Sequence, residues 1–186
     1  MSRSTRPGRV RIIGGRWRGR FIDIPQIPGL RPTPNRVRET LFNWLAPEIE
    51  GAHCVDLYAG SGALGIEALS RGAASVTFVE SNMQLVTALR AQLERLGATP
   101  DVVRDTAAAF LARTSDSFDL AFADPPFEVD PQPVCDALAG RLRPGGALYC
   151  ERSAANELPA LEWGEWQRQS RAGDVRFGLA RAAAIH

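Results

Sequence analysis

Apolar positions along the chain follow two alternating rhythms. Short, nearly continuous apolar runs fall at residues 54–58, 75–80, 101–104 and 118–123, the last reading FDLAFA, as expected of strands covered on both faces. Between them lie segments whose apolar residues recur every three or four positions, predicting helices over 62–71, 83–96 and 106–113. PQPVCDALAGRL predicts a further helix, and Pro144-Gly145-Gly146 a turn into the strand ALYCE. The tail EWQRQSRAGDVRFGLARAA reads as two strands around Ala172-Gly173-Asp174. Ahead of this series, RVRIIGG and WRGRFIDI alternate and are joined by Gly14 and Gly15, predicting a β-hairpin. PGLRPTP is then a loop, with Thr33 as N-cap and Pro34 as first residue of a helix from about 34 to 46 striped by Val37, Leu41 and Leu45. The order predicts a doubly wound α/β domain over 34–186, with seven strands mostly parallel and the last pair an antiparallel hairpin. Residues 1–33 form a smaller N-terminal appendage.

Composition narrows the setting. With 186 residues, 45% of them hydrophobic, the chain fits one packed domain with at most a small addition. No run approaches membrane length and no secretory signal follows the Arg-rich start, so a cytoplasmic protein is expected. Cys54, Cys135 and Cys150 share no metal-binding or redox spacing and read as buried thiols, and two histidines cannot build a metal site. Charge is informative by location. Residues 1–40 carry ten arginines against Asp23 and Glu39, a balance of +8, which leaves the other 146 residues at −7. Such an arm is the electrostatic footprint of a phosphate-rich partner.

Two motifs carry chemistry. In VDLYAGSGALG, Gly60, Gly62 and Gly65 fit GxGxxG between a strand and a helix, and Glu80 ends the next strand twenty residues on. Glycines there permit a tight turn and close backbone approach, and the acid can accept from ribose hydroxyls. Asp56 weighs against a dinucleotide, because its charge would crowd a pyrophosphate, whereas the ammonium and sulfonium of S-adenosylmethionine tolerate an acid. The second motif is ADPPF, residues 123–127. Proline cannot extend a central strand, so the chain leaves the sheet at Asp124, on the edge where ligands bind. An exocyclic amine is a poor nucleophile that needs acceptors on its N–H groups. Asp124 and the Pro125 carbonyl provide them, Pro126 adds rigidity, and Phe127 can stack on the base.

RIIGGRWRGR, GLRPTPNRVRETLFNWL, DLYAGSGALGIEALSRGA and DPPF, in this order and spacing, resemble the RsmD family of bacterial 16S ribosomal RNA guanine-N2 methyltransferases. The resemblance spans about residues 9 to 182. It implies a Rossmann-like S-adenosylmethionine-dependent methyltransferase fold. It also implies methylation of one guanine of small-subunit rRNA, in a loop of the head near the P site, on assembled or nearly assembled 30S particles, without metal or membrane and as a monomer. Carried onto this chain, Asp56, Ala59 and the Gly60, Gly62, Gly65 turn hold the methionine end of the cofactor, Glu80 the ribose, and Asp105 or Thr106 the adenine. Asp124, Pro125, Pro126 and Phe127 handle the guanine. Arg9, Arg11, Arg16, Arg18, Arg20, Arg31, Arg36 and Arg38 grip RNA. Asn35 stands where the family usually has Asp after RPTx, and Asp105 is displaced by one from the family's usual acid or amide, which falls here on Thr106.

DPPF alone is shared with N6-adenine and protein glutamine methyltransferases, so an adenine target is the nearest rival. A non-catalytic RNA-binding assembly factor is the rival from another class. Glu67 and Arg71 read as a solvated i,i+4 pair, Trp44 as core, and Trp17 as either core or a stacking platform.

Overall fold

The apolar runs become the parallel strands of one sheet because each must bury both faces, and the amphipathic segments between them supply the cover. The computed structural model describes residues 8–28, 30 and 33–183. In chain order the elements are β1 (Gly8–Arg11), β2 (Phe21–Ile24), α1 (Asn35–Leu45), β3 (His53–Asp56), α2 (Ala63–Ser70), β4 (Ser75–Glu80), α3 (Met83–Leu96), β5 (Val102–Arg104), α4 (Ala107–Arg113), β6 (Phe118–Ala123), α5 (Gln132–Ala137), β7 (Leu142–Ser153), β8 (Gly164–Ala172) and β9 (Val175–Ala182). The main sheet runs β5-β4-β3-β6-β7-β9-β8, and β1 and β2 form a separate two-stranded sheet. β3 through β7 pair in parallel, and β9 pairs antiparallel with both β7 and β8. The expected α/β architecture with its antiparallel C-terminal pair is present.

One apolar layer lies between the sheet and α1, α2, α3, and includes Val37, Leu41, Phe42, Leu45, Ile66, Phe78 and Leu89. The other lies against α4 and α5 and includes Val55, Phe110, Leu111, Ala121, Val134 and Leu148. Cys54, Cys135 and Cys150 are buried free thiols within these layers. Val10, Ile12, Trp17, Ile22 and Ile24 belong to the first layer, so the N-terminal hairpin shares the body's core.

Several boundaries differ from the sequence reading, each for a local reason. Helix α2 starts at Ala63 because Gly62 is its left-handed cap, φ 80°. The ladder of β7 begins at Leu142, so Pro144-Gly145-Gly146 lies inside the strand, where its register with β6 shifts between Phe118 and Leu120. β1 and β2 are not joined by Gly14-Gly15 alone; residues 12–20 connect them. That segment pairs with the end of α2: Arg16 N donates to Ser70 O at 2.8 Å, and Trp17 N to Ser70 Oγ at 3.0 Å. A Cβ on Gly15 would sit 1.8 Å from Ser70 O, so only glycine permits this approach. Trp17 is 6% exposed, which resolves it as core, and Trp44 packs at 5.5 Å on Phe177. Thr33 does not cap α1, whose cap residue is Pro34 with no side-chain bond. Its hydroxyl is engaged elsewhere.

Glu67 and Arg71 are not a solvated pair. Glu67 is fully buried and accepts from Ile13 N (2.9 Å), Gly14 N (2.8 Å), Arg38 (3.5 Å) and Arg71 (2.8 Å). Arg38, counted among the RNA-facing arginines, is also fully buried and donates to Arg11 O and Asn35 Oδ1. Its charge is spent on joining hairpin, α1 and α2.

Candidate active site

The sheet order reverses direction between β3 and β6, the position at which open α/β sheets bind ligands. A cavity of about 860 Å³ opens there. Its floor is made by the carboxyl ends of the strands: Asp56 from β3, Glu80 from β4, Asp105 and Thr106 after β5, Asp124 after β6, and Glu151 from β7. Ile27, Pro28, Leu30 and Thr33, from the segment between β2 and α1, close another side. Sites of this size are typical for ligands of cofactor dimensions.

The glycine turn divides its work. Ala59, Gly60 and Ser61 line the cavity, and Gly60 N donates to Glu80 Oε2 at 2.9 Å. Gly62 and Gly65 are not among the lining residues. A Cβ on Gly62 would meet Leu89 Cδ1 at 2.4 Å, and one on Gly65 would meet Phe78 Cε1 at 2.3 Å, so both glycines serve helix-to-sheet packing. Gly65 still acts on the site, because its N–H donates to Asp56 Oδ2 at 3.1 Å. Glu80 Oε1 accepts from Asn82 N at 2.8 Å, so both carboxylate oxygens are oriented by backbone. Asp105 accepts from Thr106 N at 2.8 Å and pairs with Arg113, and Thr106 Oγ1 caps α4 by accepting from Ala109 N at 3.2 Å.

Three carboxyl groups crowd one end of the cavity. Asp56 is 1% exposed, and its Oδ1 is buried without a hydrogen-bond partner. Burial pushes its pKa up to about 7; the Gly65 N–H opposes the shift, the charges of Asp124 and Glu80 add to it, and the Tyr58 backbone N–H opposes it last. Asp124 is half-buried and accepts from the Thr33 hydroxyl at 3.0 Å. Burial raises it to about 6, against the Thr33 hydrogen bond. Glu151, 2% exposed, accepts from the Tyr149 hydroxyl at 2.7 Å, and burial followed by the Asp124 charge lifts it well above the usual carboxyl range. An orphaned buried acceptor among like charges is what a cationic ligand relieves, which fits the ammonium and sulfonium of S-adenosylmethionine. Pro125 is buried, Pro126 exposed, and Phe127 half-buried against the core, all three at the cavity wall.

A family model described as "Conserved hypothetical protein 95" matches residues 10–181. The chain belongs to this family, the RsmD family. It is 42% identical over 186 residues to the Escherichia coli protein named ribosomal RNA small subunit methyltransferase D, covering 95% of this chain and 92% of that one. Among solved structures, an E. coli protein described as the putative methyltransferase yhhF superposes with a TM-score of 0.86 at 41% identity, over 96% of this chain and 100% of the other. A T. thermophilus 16S rRNA N2 methyltransferase (RsmC), solved with AdoMet and guanosine, has a TM-score of 0.70 at 23% identity, covering 95% of this chain and 50% of that one. At that identity the likeness is one of fold, that of S-adenosylmethionine-dependent methyltransferases.

The basic hairpin keeps Arg9, Arg11, Arg16, Arg18 and Arg20 exposed, and Arg36 is exposed on α1. Arg31 lies outside the described residues. Arg95 of α3 joins this face by pairing with Asp23, and Arg20 donates to its carbonyl. The sequence reading missed Arg95, which lies 72 residues from Asp23 and carries no motif. It also missed Thr33 as a site residue, and it placed Glu151 in a strand without seeing that its side chain enters the cavity. Among the described residues no group of three His, Cys, Asp or Glu could hold a metal ion, and no helix is long and apolar enough to cross a membrane.

Proposed function

We propose that this protein transfers a methyl group from S-adenosylmethionine to the exocyclic N2 of a guanine in 16S rRNA, acting as a cytoplasmic monomer on assembled or nearly assembled small subunits. The observation that carries the reading is Asp124 with Pro125, Pro126 and Phe127 at the wall of the same cavity that holds the orphaned Asp56 and the backbone-oriented Glu80. Membership of a family whose E. coli relative is named for small-subunit ribosomal RNA methylation supports the substrate class.

In this reading Asp56 faces the cofactor's ammonium group, Ala59 and Gly60 bring backbone close to it, Glu80 accepts from the ribose hydroxyls, and Asp105 accepts from the adenine amine. Thr106 is held by the helix cap, its oxygen accepting from Ala109 N. The bound cofactor supplies an electrophilic methyl group on a sulfonium. Asp124 and the Pro125 carbonyl accept from the target amine and aim its lone pair, and Asp124 can take the proton that the nitrogen sheds. Phe127 stacks on a base that is unpaired or flipped out, since N2 is not accessible to a methyl donor within a helix. The exposed arginines neutralise phosphates.

Incubation of the purified protein with labelled cofactor and rRNA, 30S particles or DNA, followed by digestion, tests the reading. N2-methylguanine from 16S rRNA is expected. N6-methyladenine would replace the proposed target, and absence of product together with absence of cofactor binding would leave the assembly-factor alternative.

A further inference from the structure

The ladder between β6 and β7 pairs Ala123 with Cys150, so Asp124, just past the end of β6, and Glu151, still paired with β9, stand side by side at the cavity. The Thr33 hydroxyl lies between the two acids. Tyr149, itself fully buried, donates its hydroxyl to Glu151 Oε1 at 2.7 Å. Thr33, 91 residues before Asp124 in the chain, donates to Asp124 Oδ2 at 3.0 Å and is also within hydrogen-bonding reach of Glu151.

We propose that Glu151 is a positioning residue for Asp124, acting through the Thr33 hydroxyl in a chain Tyr149–Glu151–Thr33–Asp124 that leaves Asp124 Oδ1 to the target amine. The proposal rests on the methyl-transfer reading and deepens it. A hydroxyl has one proton to give, and Thr33 gives it to Asp124. Towards Glu151 the same oxygen can therefore only accept, which requires a protonated Glu151. Every donor then points the same way, from Tyr149 towards Asp124. The surroundings of Glu151 favour its neutral form. Burial and then the negative charge of Asp124 raise its pKa, against the hydrogen bonds of Tyr149 and Thr33, and Asp124 acts in the same sense on Asp56 of β3. Cys135 of α5 faces Cys150, and the β9 residue opposite Glu151 is Phe177, which carries no charge. At neutral pH the Asp124–Glu151 pair then holds one proton and one negative charge, which sits on the residue that meets the amine.

The test compares kcat, KM, cofactor Kd and pH profiles of the full-length wild type with Glu151→Gln, Glu151→Leu, Thr33→Val and Thr33→Ser, using labelled S-adenosylmethionine and the rRNA substrate. Glu151→Leu and Thr33→Val should each lower kcat by about tenfold to a hundredfold, the factor for a lost hydrogen bond to a charged group. Cofactor affinity should hold within about twofold. Thr33→Ser should restore turnover. Glu151→Gln, whose amide donates to Thr33 while its oxygen accepts from Tyr149, should lose at most about threefold at neutral pH. Wild-type kcat should fall on the alkaline side as Glu151 ionises, and that limb should vanish in Glu151→Gln. Wild-type kcat in Thr33→Val, or identical alkaline limbs for wild type and Glu151→Gln, overturns the proposal even if Glu151→Leu fails to fold. If the wild type methylates no RNA, the methyl-transfer reading fails separately. Carbon-13 NMR of the Asp124 carboxyl still decides the chain in that case: its titration should move to higher pH in Thr33→Val, and an unmoved titration refutes it.

Discussion

Two charged clusters, one around Glu67 of α2 and one at the carboxyl ends of β3, β6 and β7, are treated in opposite ways. Glu67 accepts four hydrogen bonds, two from backbone amides of the hairpin and two from Arg38 and Arg71. Asp56, Asp124 and Glu151 face one another across a cavity; Asp56 Oδ1 has no partner, and the pKa values of all three are driven upward. A fully compensated carboxylate is a clasp: it joins elements that no apolar contact would hold in register. A cluster left short of positive charge is poised for a ligand that brings it. The difference separates structure from chemistry where residue type alone does not, since both clusters are built around carboxylates.

The largest effect should follow from removing Asp124. Asp124→Ala is expected to slow turnover by about 10² to 10⁴ while cofactor affinity and folding stability stay near wild type, as kinetics, calorimetry and denaturant unfolding would show. Asp124→Asn sharpens the point: retained activity would make acceptance and alignment sufficient, with the proton leaving to water, whereas an Asn variant as slow as Ala makes charge or basicity necessary. Wild-type turnover in both would remove Asp124 from the chemistry.

Glu67→Ala should do the reverse, costing about 3 to 5 kcal/mol of stability by stranding a buried guanidinium and two amides. Denaturant melts measure it, and a stable variant with impaired catalysis would break the contrast between the clusters. The same clasp means that the hairpin cannot be cut away to test RNA binding, because Ile12 and Trp17 would leave the core with it.

The pH response distinguishes the clusters next. Asp56 titrates near 7 in the folded chain and in the ordinary carboxyl range once unfolded, so between those values the folded state holds a proton that the unfolded state has lost. Stability from this group is therefore full at low pH and falls as pH rises towards 7. Asp56→Asn should remove that loss, and its advantage over wild type should grow between about pH 4 and 7, by a few kcal/mol at most, then level off. A pH-independent difference in melting would refute the assignment.

Glu80→Ala should lose roughly 1.5 to 3 kcal/mol of cofactor binding by calorimetry. Unchanged affinity would move the nucleoside away from β4. The smallest effect belongs to the exposed hairpin: Arg11→Gln with Arg18→Gln should leave folding and cofactor binding intact and flatten the salt dependence of RNA binding by about one unit of log–log slope per lost phosphate contact. An identical slope would make those arginines bystanders.

Much of the frame was legible in the sequence because it is written between near neighbours. FDLAFA, SVTFVE and the 83–96 stripe occupy the predicted bounds, since strand and helix periods are set by which side chains must face the same way. The turn from Asp56 to Gly65 and the exit at Asp124 were readable for the same reason: glycine and proline act on their own backbone. What a side chain meets across the fold was not. Thr33 has the look of a helix cap, yet its hydroxyl reaches Asp124; Arg38 and Glu67 have the look of solvent-facing charges, yet both are wholly buried. Glu151 is one more polar residue at a strand end until the β6–β7 register sets it beside Asp124. By itself the sequence determined the order of elements, the glycine turn and the acidic tip. Which charges are cancelled and which are left exposed to one another depends on groups dozens of residues apart arriving at one place, and only the tertiary structure decides that.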